Sequence, residues 1–236
     1  MADSVVTQSN RLIEASYMLT LNEKRLMLMA ISKLDGRKPM PNGVFRFSAY
    51  EFAETFHLDP TDAYAELKAA SKFLFNRTIR FFGKGGKVVK EMRWVHTIEY
   101  LEGEGCIELS FTPAVAPELT KMHGKFTTYR LRHVSQLSSP YAIRLYELAA
   151  QYLKIGSRQI TIDDLRVALE LTELYPQFKE LRRRVLDPAI ASINTRTDLD
   201  VVLEPVLKGR KMVALKLFVK RKDTQLNLLP NDDTAA

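Results

Sequence analysis

Twice within 236 residues the chain spells a capped helix, a short helix, a longer helix and an alternating hairpin, in that order. In the first half Thr20-Leu21-Asn22-Glu23 reads as a capping box, in which hydroxyl and carboxylate satisfy orphan amides reciprocally. Met27, Ala30, Ile31 and Leu34 then repeat at helical spacing up to Asp35-Gly36. Val44 to Phe47 suits a short strand. A second box, Ser48 to Glu51, opens a helix carrying Tyr50, Phe52, Ala53 and Phe56, which stops near Leu58-Asp59-Pro60. Thr61 caps a third helix with Tyr64, Leu67, Ala70 and Leu74 inward. Extended residues follow from Thr78 to Phe82, a Gly83 to Lys87 loop, and a further run from Val88 to Leu101. After a turn at Gly103-Glu104-Gly105, Ile107, Leu109 and Phe111 alternate with polar residues on a return strand.

The second half repeats the order. Ser138-Ser139-Pro140 opens a helix, with proline at a tolerated early position. Thr161 to Asp164 caps a shorter one, and a third starts near Tyr175 with Phe178, Leu181, Val185, Ala189 and Ile193 inward. Leu199 to Leu207 and Met212 to Lys220 form a hairpin in which Val213, Leu215, Leu217 and Val219 share one face. Such an order is that of a winged helix, a helix-turn-helix whose hairpin lies beside its third helix. The expected fold is therefore α+β, two tandem winged-helix domains over residues 9–125 and 126–222, with a flexible tail at 223–236. Leu12, Leu19 and Leu26 fall seven apart like a zipper, but the Thr20 cap interrupts the series and Lys33 occupies its next position, so core packing is expected. Pro188 should kink or break its helix.

Charge selects the partner. The net charge is +7. Between Tyr175 and Lys222 stand 12 lysines and arginines against 5 acids, so this segment carries the excess of the whole chain. A polyanion meets it first. On the third helix of the second half, Leu181 and Val185 face inward, which turns Arg182 and Arg183 outward with Lys179 a turn earlier and Arg184 nearer the flank. The hairpin beside it carries Lys208, Arg210 and Lys211. Arginine holds guanine O6 and N7 with one planar fork, and any of these cations neutralises phosphate. In the first half Lys68, Lys72 and Arg77, with Lys84 and Lys87 on the loop read as a wing, offer a second and weaker contact.

Catalytic readings fail on their own terms. His57, His96, His123 and His133 lack the spacings of metal hydrolases or nickases, so no metal is expected. Val88 follows Lys87 where a phosphate-binding loop needs Ser or Thr, there is no Gly-x-Ser-x-Gly elbow, and no cofactor or catalytic residue is indicated. Cys106, the single cysteine, reads as a small apolar filler in a strand. No export signal is seen and no apolar run approaches the roughly 20 residues that span a bilayer, so a cytoplasmic protein without membrane contact is expected.

Several stretches together resemble the iteron-binding plasmid replication initiators of the Rep_3 type: Ser9 to Ala15, Leu19 to Leu34, Phe126 to Leu131, Ser139 to Glu147, Leu181 to Leu186, Ile193 to Thr197 and Lys208 to Lys211. The resemblance spans nearly the whole chain. It implies two winged-helix domains and a protein that is no enzyme: one that binds double-stranded iteron repeats in an origin, helps open the duplex, and recruits the host initiator and replicative helicase. It also implies a homodimer in equilibrium with the monomer, the dimer repressing its own gene at an operator inverted repeat, with the first domain serving dimerisation. A tandem winged-helix transcriptional repressor without initiation activity is the alternative.

Overall fold

The structure, a computed structural model, describes residues 4–34, 44–83, 87–120, 125–209 and 211–222. The expected tail lies outside these residues. Strand β1 (Val5–Ser9) and the short α1 (Asn10–Glu14) precede α2 (Leu21–Ser32). The Thr20 box closes as expected: its hydroxyl accepts from the Glu23 amide at 3.4 Å and its own amide donates to Glu23 Oε2 at 2.9 Å. β2 (Val44–Ser48), α3 (Ala49–Phe56) and α4 (Ala63–Leu74) follow. Then come β3 (Thr78–Phe82), β4 (Val88–Arg93), β5 (Val95–Leu101), β6 (Cys106–Phe111) and α5 (Ala116–Leu119).

In the second half are β7 (Phe126–Arg130), α6 (Arg132–Ser135), α7 (Pro140–Ala150), β8 (Ser157–Thr161) and α8 (Ile162–Ala168). A long helix then runs through α9 (Phe178–Leu181), one π turn (Arg182–Leu186) and α10 (Asp187–Arg196) into β9 (Leu199–Lys208) and β10 (Lys211–Arg221).

Pairing reveals that the repeat is one of topology. In the first half the sheet order is β2-β6-β5, and in the second β8-β10-β9. Each time the strand between the first two helices joins the last strand, whose hairpin partner lies on its other side. The wings are therefore β5–β6 and β9–β10. Both tips carry a left-handed glycine, Gly105 at φ 61° and Gly209 at φ 63°, a conformation that costs glycine little. The Gly83 to Lys87 loop, read above as the first wing, instead closes a separate hairpin, β3–β4, inserted before β5.

Local expectations are corrected in four further places. The presumed Ser48 box is half made, because Ser48 accepts from the Glu51 amide while the Glu51 carboxylate takes Lys33. Tyr50 is exposed, not inward. Asp62, not Thr61, occupies the cap position of α4 and makes no side-chain cap bond, while the Thr61 amide donates to Asp59. A register shift between Met212 and Ala214 turns Val213 outward and buries Ala214. Cys106 is buried at the start of β6. Leu12, Leu19 and Leu26 are all buried, on α1, on the connector and on α2, so they pack into the core and form no zipper.

One continuous apolar core runs from Val6 to Val219 through both halves. β1 pairs with β7, Val5 opposite Arg130 and Ser9 opposite Phe126, so this sheet straddles the expected boundary at 125/126. At the junction α7 buries Glu147 completely. Gln8 donates to it at 2.6 Å, the Tyr129 hydroxyl at 2.6 Å and the Lys24 ammonium at 2.8–2.9 Å. Burial pushes the Glu147 carboxyl up, but Lys24 and Arg144, with the bonds from Lys24 and Tyr129, outweigh it and hold the group below the ordinary carboxylate value. Arg144 lies over the Tyr17 ring, 4.0 Å from its centre, and donates to the Ala15 and Ala168 carbonyls at 2.7 Å. Elements of both winged helices are thus held by one buried ionic network.

Candidate nucleic-acid interface

The third helix of the second domain is set by what precedes it. Arg166, buried on α8, donates to the carbonyls of Leu171, Leu174, Tyr175 and Pro176 and so shapes the helix-turn-helix connector. Glu170 and Tyr175 take positive φ in that turn, at 55° and 52°. Glu170 also receives Arg80 of β3 at 2.7–2.8 Å, which ties the connector to the first domain. Sequence reasoning missed both residues, since a guanidinium that collects four carbonyls looks like a surface charge until the chain is folded.

Pro188 does not end the helix. Lacking an amide hydrogen, it cannot bond the Arg184 carbonyl, and its ring would crowd that turn. The helix answers with a π turn, closed by the Asp187 amide on the Arg182 carbonyl, and continues to Arg196. The wider turn buries Val185 and Leu186 side by side and leaves all three arginines outside, their side chains 53, 64 and 56% exposed in order. Arg184, expected nearer the flank, is as open as its neighbours.

Acids position these arginines. Glu180 accepts from Arg183 at 3.0 Å and from Arg184 at 2.7 Å, and Asp187 accepts from Arg182 at 3.2 Å. The bonds from Arg184 and Arg183 hold Glu180 below the ordinary carboxylate range. Lys179 and Lys208 are exposed on the helix and at the wing. Arg210 lies outside the described residues, as does the side chain of Lys211. Lys222 and Arg196, counted above only as charge, have work inside the domain: Lys222 caps the end of α10 through the Asn194 and Thr197 carbonyls, and Arg196 donates to Gln136.

The first domain is arranged differently. Its wing tip, Glu102 to Gly105, is acidic; Lys68 of α4 pairs with Glu102, and Arg46 with Glu104. Arg77 makes a two-pronged pair with buried Glu23 at 2.9 and 3.0 Å, clamping the start of α2. Lys72 and Lys87 are exposed, while Lys84 lies outside the described residues. Of the cations expected there, then, two are engaged with acids of their own domain. Among the described residues no cluster of metal-binding side chains is present and no helix is long and apolar enough to cross a membrane.

Two winged helices on one chain, the second presenting three arginines on the solvent face of its third helix, define a tandem winged-helix protein. Residues 5–150 match the family described as Initiator Replication protein, WH1, and residues 161–219 that described as Initiator Rep protein, WH2; the chain belongs to this family of replication initiators. Among curated proteins it is similar to a PI protein of Escherichia coli, at 28% identity over 92% of this chain and 83% of that one. A Replication initiation protein of Escherichia coli is 26% identical over 97% of this chain and 73% of its own length. The crystal structure of Pi initiator protein in complex with iteron DNA superposes with a TM-score of 0.81 at 27% identity, covering 94% of this chain and 99% of that chain.

Proposed function

We propose that this initiator binds the direct repeats, or iterons, of a plasmid origin sequence-specifically as double-stranded DNA, promotes opening of the duplex and recruits the host initiator and replicative helicase. As a homodimer in equilibrium with the monomer it binds an operator inverted repeat and represses its own gene. Residues 126–222 carry the main readout, and residues 9–125 supply dimerisation and contacts to the DNA backbone. The observation that supports readout most is the solvent-facing arginine triplet on the third helix of the second domain, beside Lys208 on its wing. Arg182 and Arg183 suit base edges, with Lys179 and Arg184 at phosphates or a neighbouring base.

Both domains share one core and one buried ionic network, which holds their third helices in one arrangement. Such a pair enters successive major grooves about one helical turn apart on one face of the duplex. Hydroxyl-radical footprinting on origin DNA is therefore expected to show one monomer covering roughly two helical turns per repeat. Protection confined to a single groove overturns the two-helix mode.

Lys208 separates charge from readout. Lys208→Ala is expected to weaken binding to cognate and random duplexes alike and to lower the slope of log affinity against log salt by about one. An unchanged slope removes Lys208 from the phosphate contacts.

A further inference from the structure

The first domain presents a reading helix of a different chemistry. In the second domain the solvent face of that helix is cationic. On α4 the solvent face is Ala65, Ala69, Lys72 and Phe73, with Leu67, Ala70 and Leu74 buried behind it. Ala65, Ala69 and Phe73 stand four residues apart and so form one stripe along the helix. Phe73 is 58% exposed, an unusual place for a phenyl ring with no partner ring among the described contacts. Meanwhile the cation on the wing side, Lys68, is turned to Glu102 and lies 5.5 Å from the Tyr100 ring, and Arg46 is held by Glu104. Guanidinium groups like those of the second domain are thus absent from this face, whose exposed cation is Lys72.

We propose that α4 reads thymine: Ala65, Ala69 and Phe73 pack on thymine 5-methyl groups in the major groove. The inference rests on the DNA-binding reading above and deepens it. An apolar stripe in the groove gains free energy from the one apolar group that base pairs display there, the methyl of thymine. Alanines suit the centre of such a helix because their short side chains let the backbone approach the base edges. Phosphate contact then falls to Lys72 and to Arg93, whose guanidinium sits beside the exposed Phe75 at the C-terminal end of α4. The N-terminal end carries the exposed acid Asp62, which keeps that end away from phosphate. A site for this protein is accordingly asymmetric, with guanine contacts under the second domain and thymines under the first.

The test uses the full chain and a fluorescein-labelled duplex carrying one direct repeat of its origin, compared with the same duplex in which deoxyuridine replaces thymidine outside the footprint of the second domain. This exchange removes only the methyls. Affinity is expected to fall about fourfold for each methyl in contact, the transfer value of one buried carbon group. In the Phe73→Ala and Ala69→Ser variants, changed at solvent-exposed positions, the deoxyuridine penalty is expected to shrink toward one, and preference for the repeat over scrambled DNA to fall by the same factor while the second domain keeps it above one. Equal affinity for thymidine and deoxyuridine duplexes, with that preference intact, overturns thymine reading alone, as does a change confined to self-association of the Phe73→Ala variant. Loss of any preference for the repeat in the unaltered protein overturns the DNA-binding reading and this inference with it.

Discussion

Glu147→Ala is expected to lower the free energy of unfolding by about 3–5 kcal/mol, the cost of removing one partner from a buried ion pair. The substitution leaves the Lys24 ammonium, the Tyr129 hydroxyl and Gln8 without their shared acceptor in a site with no access to water. Urea denaturation followed by circular dichroism measures the loss. A midpoint within experimental scatter of the unaltered protein would mean that the network contributes nothing. Adding Lys24→Met to Glu147→Ala is expected to recover only part of the loss, because it removes one buried charge left unpaired while Arg144, Tyr129 and Gln8 still lack their acceptor.

The same carboxylate predicts a pH dependence. Its folded-state value lies below the ordinary one, so the unfolded chain takes up this proton first as pH falls. The stabilisation is fully present above the unfolded carboxyl value of about 4.3 and is lost as pH drops through the lower folded value. The Glu147→Gln variant should therefore lose less stability than the unaltered protein between neutral pH and the acid limb. Parallel acid-unfolding curves for the two would contradict this assignment.

Arg183→Ala is expected to weaken binding to the cognate repeat by about 1–3 kcal/mol, or roughly 5- to 150-fold, with a much smaller loss on random duplex. Arg182→Ala should behave likewise. For Arg183 an electrostatic penalty common to both duplexes is expected in addition. Glu180 is shared between Arg183 and Arg184, and deleting one guanidinium leaves a carboxylate less compensated beside the DNA backbone. Adding Glu180→Gln to Arg183→Ala should recover affinity for random DNA without recovering discrimination. Competition binding at fixed salt reads both quantities. Equal losses on cognate and random DNA would remove these arginines from base readout and leave them as phosphate contacts.

The comparison of the two domains also explains why a basic helix is a poor guide to function unless its acids are placed. Lys68 on α4 and Arg77 just beyond its end have the residue type of DNA contacts, yet one meets Glu102, 34 residues on, and the other Glu23, 54 residues back. In the second domain Glu180 lies within one turn of Arg183 and Arg184, so its pairing follows from helical spacing. Arg166 and Glu170 escaped sequence reasoning for the former reason: their partners come from a connector and a neighbouring domain. The π turn is intermediate. Proline signalled a disturbance, but whether the helix bends, breaks or widens depends on how Val185 and Leu186 are received by the core.

What the sequence by itself determined here is whatever depends on partners a few residues apart. The Thr20 and Thr161 caps, the outward face of Arg182 and Arg183, the burial of Cys106 in an alternating strand and the twice-told element order are all of this kind. Only the tertiary structure decided which hairpin is the first wing, because β2 chooses β6 across some sixty residues and leaves β3–β4 as an insertion. It alone also decided which acids Lys68 and Arg77 meet and that Glu147 fastens elements of both domains. Strand pairing and ion pairing over long separations are settled by the packing of the whole core, and no spacing rule within one segment encodes them.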